Sequence, residues 1–103
     1  MKRRYVVCFD SIDDEKSKNI TACLKENGLG WWHWIDNVWF VTDPRGKFSA
    51  VKIRDMLRNY AEDERMVVLE INQDGDTWAG VRAKDPDEKM FKWFVNTWNK
   101  SKK

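Results

Sequence analysis

The first apolar run, Tyr5-Val6-Val7-Cys8-Phe9, is rich in β-branched and aromatic residues and flanked by charge, which predicts a central strand buried on both faces. Asp10-Ser11-Ile12-Asp13-Asp14-Glu15 then supplies N-cap side chains and first-turn acids. Ile20, Cys23 and Leu24 recur at helical spacing before Asn27-Gly28, so a helix follows the strand. The segment Gly30 to Thr42 reads as two aromatic strands around a tight Asp36-Asn37 turn. A flush ladder from that turn pairs Ile35 with Val38, Trp34 with Trp39, His33 with Phe40 and Trp32 with Val41. It puts Trp32, Trp34, Trp39 and Val41 on one face and Trp31, His33, Ile35, Val38 and Phe40 on the other.

Beyond the turn Asp43-Pro44-Arg45-Gly46-Lys47, Ser49 is a fitting N-cap for a second helix with the stripe Ile53, Met56, Leu57 and Tyr60. Met66 to Ile71 forms a fourth strand, whose face of Val67, Leu69 and Ile71 is expected on the helix side because Glu70 lies on the other. The order strand, helix, strand, strand, helix, strand predicts an α+β domain of ferredoxin-like βαββαβ type, an antiparallel sheet with both helices on one face. A short fifth strand at 76–81 and a C-terminal helix starting at Asp85-Pro86 follow, the helix with the stripe Met90, Phe91, Phe94, Val95 and Trp98. The hairpin is aromatic on both faces, so one face must meet the C-terminal helix, a second copy of the chain or a stacked ligand.

At 103 residues the chain has room for one domain, residues 1–103, with a core over 4–72 and an extension over 76–100. With 42% hydrophobic and 35% charged residues the composition is globular, and a formal charge of +2 excludes the broad electropositive field of a non-specific duplex binder. Cys8 and Cys23 form neither a C-x-x-C pair nor a disulfide framework. No apolar stretch reaches the length of a membrane span, and the run after Met1-Lys2-Arg3-Arg4 is too short for a signal-peptide core. A cytoplasmic protein that does not engage a membrane is expected.

Candidate chemistry is sparse. Asp10, with Asp13 and Asp14 behind it, could offer carboxylates to Mg²⁺ or Mn²⁺, although aspartates before a helix more often cap it. His33 is the single histidine, so neither a zinc site nor a two-histidine nuclease can be built from one chain, and it reads as a packed structural residue. No phosphate-cradling glycine motif occurs. Seven tryptophans stand out. On an open sheet face Trp32, Trp34 and Trp39, with His33 beside them and Arg45 and Lys47 holding phosphate, would make a stacking platform for nucleic acid or a nucleotide. Further cations stand at Arg3, Arg4, Arg82 and Lys84. The same rings could instead be intersubunit surface.

The run Tyr5 to Asp10 followed by acids and a helix resembles the opening of the CRISPR-associated adaptation endonuclease and of VapD-type toxins. More specifically, Trp31 to Trp39, Ile53-Arg54-Asp55, Val67 to Ile71 and Trp78-Ala79-Gly80 are similar to the small bacterial and phage proteins of the SinR family. That resemblance implies a ferredoxin-like homodimer, with Asp10 at the position of the nuclease aspartate. The company this superfamily keeps suggests phage–host defence, in which such a dimer would sequester a cyclic nucleotide signal. The expected function is therefore a non-enzymatic homodimer, joined through a sheet face or the fifth strand, that binds nucleic acid or a small nucleotide and needs no cofactor. The alternatives are a Mg²⁺- or Mn²⁺-dependent nuclease using Asp10, and a protein-binding adaptor with a Trp-rich interface.

Overall fold

The computed structural model describes residues 2–71, 79 and 89–99. Strand β1 (Arg3–Phe9) leads into helix α1 (Asp14–Glu26), then β2 (Gly30–Ile35), β3 (Val38–Asp43), α2 (Ala50–Arg58), β4 (Met66–Glu70) and α3 (Lys89–Trp93). The last helix runs on through wider, π-helical turns over Phe94–Trp98. The four strands form one antiparallel sheet in the order β2-β3-β1-β4, so β1 is internal, as its all-apolar run requires. The expected fifth strand, the Asp85-Pro86 helix start, Arg82 and Lys84 lie outside the described residues.

Local chemistry sets the helix ends. The Asp13 carboxylate accepts from the Lys16 amide at 2.8 Å, and the Ser49 hydroxyl accepts from the Lys52 amide at 3.1 Å. Asn27 ends α1, and Gly28 follows at φ 74, a conformation that costs glycine least. The buried Asp43 carboxylate organises the turn into α2, accepting from the amides of Arg45 at 3.3 Å and Phe48 at 2.7 Å.

The sheet separates two apolar clusters. On one side Tyr5, Val7 and Phe9 of β1 and Trp39 and Val41 of β3 pack against Ile20, Cys23 and Leu24 of α1 and Ile53 and Leu57 of α2. On the other side Trp32 is buried with Met90, Phe94 and Trp98 of the C-terminal helix, flanked by Val6, Trp34, Phe40 and Ile71. A four-residue spacing overshoots a 3.6-residue turn by about 40°, and the wider final turns keep Met90, Phe94 and Trp98 on one line. Val95 points away, more than half exposed, and Trp93 takes the place in the cluster that the stripe assigned to it. Lys2 Nζ reaches the carbonyls of Thr97 at 2.6 Å and Asn99 at 3.1 Å, a cation where the helix dipole favours one.

Two side assignments read from the sequence are overturned. Ile35 pairs with Val38, but Trp32 then faces Phe40 and Trp31 faces Val41, because a bulge between Trp32 and Ile35 sets His33 and Trp34 against one residue of β3. Trp39 and Trp32 therefore lie on opposite faces of the sheet. In β4 it is Met66 and Val68 that pack on the helix side, while Val67 and Leu69 are 55% and 54% exposed on the other. Glu70 shares the helix side because Arg3 grips it in a two-pronged ion pair at 2.7 and 2.8 Å.

Candidate functional site

The expected stacking platform is dispersed. Trp39 is fully buried beneath α1, its indole N–H donating to Thr21 Oγ1 at 3.2 Å. Trp32 is 3% exposed beneath the C-terminal helix and donates to the Met90 carbonyl. Trp34 is half-buried against that second cluster. The imidazole of His33 stacks flat on Trp39, with centroids 3.7 Å apart and planes within 2°. Its Nδ1 lies 3.0 Å from the Val38 carbonyl and its Nε2 3.1 Å from Ser17 Oγ. A carbonyl can only accept, so Nδ1 carries the proton, and in the neutral ring Nε2 receives the Ser17 hydroxyl. His33 is thus packed and hydrogen-bonded.

The cations are equally scattered. Arg4 is a core residue, 1% exposed, its guanidinium 5.2 Å from the Trp98 ring centroid. Arg3 is held by Glu70, and this hydrogen bond raises its pKa. Arg45 and Lys47 are exposed, and the Arg45 guanidinium lies against Gly28 at the C-terminal end of α1, where a side chain on Gly28 would touch it.

At the end of β1, Asp10 meets Arg65 at 3.1 Å in an exposed ion pair, and its backbone bonds to Arg65 and Asn37. Asp13 is committed to the α1 cap. Among the described residues no group of three or more His, Cys, Asp or Glu side chains is arranged to hold a metal ion, so Asp10 has no companion ligands there.

An open surface exists elsewhere, along β4. Among the described residues β4 is an edge strand. Ile71 N donates to Arg4 O, and Asp10 N donates to Arg65 O. Residues 65, 67, 69 and 71 therefore direct their backbone groups to β1, and Met66, Val68 and Glu70 direct theirs outward. The exposed pair Val67 and Leu69 sits beside Cys8 and Val6, their partners on β1. Along α2 (Ala50–Arg58) and the turn after it runs a polar hollow of about 590 Å³ lined by Arg54, Asp55, Arg58, Asn59 and Glu62. It adjoins a second, of about 300 Å³, that reaches Glu64 and Met66. Arg54 is engaged by Asp55 at 2.7 Å, Glu64 by Lys16 at 3.0 Å, and Arg58 has no ion-pair partner among the described residues. Sequence reading overlooked this site, although Arg54 and Arg58 stand at helical i, i+4 spacing and β4 is apolar at both phases.

No family model, no curated protein and no solved structure matches the chain. Among the described residues no helix is long and apolar enough to cross a membrane.

Proposed function

We propose that this chain is a non-enzymatic protein-interaction module with a ferredoxin-like fold that acts as a homodimer joined through β4. The fold reading is supported by the element order βαββαβ, the antiparallel ladder β2-β3-β1-β4 and the packing of both crossover helices on one face. One observation carries the functional reading: β4 has the composition of a strand buried on both faces, yet among the described residues it is an edge whose outer side chains, Val67 and Leu69, are more than half exposed. Natural sheets blunt such an edge or pair it. Trp39 and Trp32 are already packed, so they offer no free ring to a base, which favours a protein partner over a nucleotide. The resemblance to the SinR family and the CRISPR-associated endonuclease points the same way as regards dimerisation.

Sedimentation at micromolar concentration tests this. A two-fold dimer of the 12.3 kDa chain gives about 25 kDa. A monomer that persists to hundreds of micromolar overturns the reading, as does a nucleotide or oligonucleotide that quenches tryptophan fluorescence at micromolar concentration without changing the mass.

A further inference from the structure

We propose that the corner of the sheet beneath the last turn of the C-terminal helix is a built-in water site, in which one buried water molecule bridges the Thr42 hydroxyl and the side-chain carbonyl of Asn99. Two buried atoms carry this inference. Thr42 is 1% exposed and its Oγ1 has no hydrogen-bond partner among the described residues, and the same holds for the buried Oδ1 of Asn99. Groups of this kind nearly always find a partner, because an unpaired one loses its hydration and gains nothing in return. The backbone of Asn99 is already engaged, its N–H donating to the Phe94 carbonyl at 2.9 Å and its carbonyl accepting from Lys2 Nζ at 3.1 Å. Its side-chain oxygen is what remains to be satisfied.

The strand register brings both atoms to one place. Arg4 and Gly30 are the ladder partners of Thr42 on its two sides, and directly opposed residues share a sheet face. It is the face covered by the C-terminal helix, because Trp32, two residues beyond Gly30, packs there. The Thr42 hydroxyl occupies the place a Cβ on Gly30 would take, and the Thr97 methyl lies 3.4 Å from that same point. The Arg4 guanidinium lies 5.2 Å from the Trp98 ring centroid, and Lys2 reaches the carbonyls of Thr97 and Asn99. Thr97, Trp98 and Asn99 therefore lie over Thr42 and its neighbours. Chemistry then selects the occupant. Asn99 Oδ1 can only accept, so the bridging group must donate, which excludes a simple anion. Arg4 and Lys2 stand beside the site and oppose a further cation. The hydroxyl of Thr42 both donates and accepts, so a water molecule, small, neutral and able to do both, satisfies the pair.

High-resolution crystallography of the full chain tests the site directly. One ordered water should lie about 3 Å from both Thr42 Oγ1 and Asn99 Oδ1. It should persist in Thr42→Ser, which keeps the hydroxyl, and vanish in Thr42→Val, which keeps the shape. Thermal unfolding supplies a second reading, in which the two possibilities differ in sign. With the hydroxyl bridged, Thr42→Val removes a buried hydrogen bond and strands Asn99, so the melting temperature should fall by roughly 4–8 °C. With the hydroxyl unpaired, the same change deletes an unsatisfied polar group and leaves the melting temperature unchanged or higher. A direct hydrogen bond between Thr42 and a rotated Asn99 amide, with no water between them, overturns the proposal. So does a water that survives in Thr42→Val, or a Thr42→Val chain that melts no lower than the wild type. Should Thr42→Val fail to fold, the wild type and Thr42→Ser decide alone, and the lack of the bridging water in either one overturns the proposal.

Discussion

Tyr5 shows how one side chain can fix a charge state. Its ring is fully buried in the helix-side core and its hydroxyl donates to the Phe48 carbonyl, and burial, aided by Glu70, pushes its pKa up to about 12. The folded state therefore holds this proton more tightly than the unfolded chain, whose tyrosine ionises near 10. Stability from this group is fully present below pH 10 and is lost as pH rises to about 12. Spectrophotometric titration should find the Tyr5 phenolate emerging only towards pH 12. The alkaline fall in melting temperature should be smaller in Tyr5→Phe. At Trp39 the same burial works through volume. The indole fills the space between Phe9, His33 and α1, and Trp39→Ala should cost about 3–5 kcal/mol in urea unfolding, because the cavity cannot collapse against a rigid sheet.

At the scale of elements, periodicity and caps were enough to place β1, α1, α2 with Ser49, and the two strands of the hairpin, while the structure picks Asp13 from among several candidate caps of α1. The side on which each aromatic lies was not legible, for two distinct physical reasons. In β2 the bulge adds one residue between the turn and Trp32, so an alternation counted from Asp36-Asn37 is one step out by the time it reaches Phe40. In β4 both phases are apolar, and Glu70 looked like a marker of solvent. A carboxylate can stay on the helix side when a forked guanidinium neutralises it, and Arg3 is far away in sequence. The candidate site was hidden for the same reason, since its arginines and its edge strand meet only once α2 lies across β4. Gly30 supplies a test of element packing. A Cβ there would run into the buried Thr42 hydroxyl oxygen on the paired strand, an atom without a hydrogen-bond partner among the described residues. Gly30→Ala should cost about 1–3 kcal/mol by overpacking. The double variant with Thr42→Ala should recover most of it, a coupling that a double-mutant cycle reads directly.

At the scale of the whole molecule, the sheet is a wall shared by two cores that draw on different stretches of chain. The helix-side core is assembled from residues between Tyr5 and Val68, whereas the other cannot close without Met90, Phe94 and Trp98. Synthesis runs from the N-terminus, so the first core has all its parts when residue 68 is made, about 30 residues before the second. At about 5–20 residues per second, that interval lasts roughly 2–6 s. Without that later stretch Trp32, Trp34 and Phe40 would stand on the sheet as an uncovered aromatic face. The segment that covers it is a single helical stretch whose arrival buries the rings and lets Lys2 bond the carbonyls of Thr97 and Asn99.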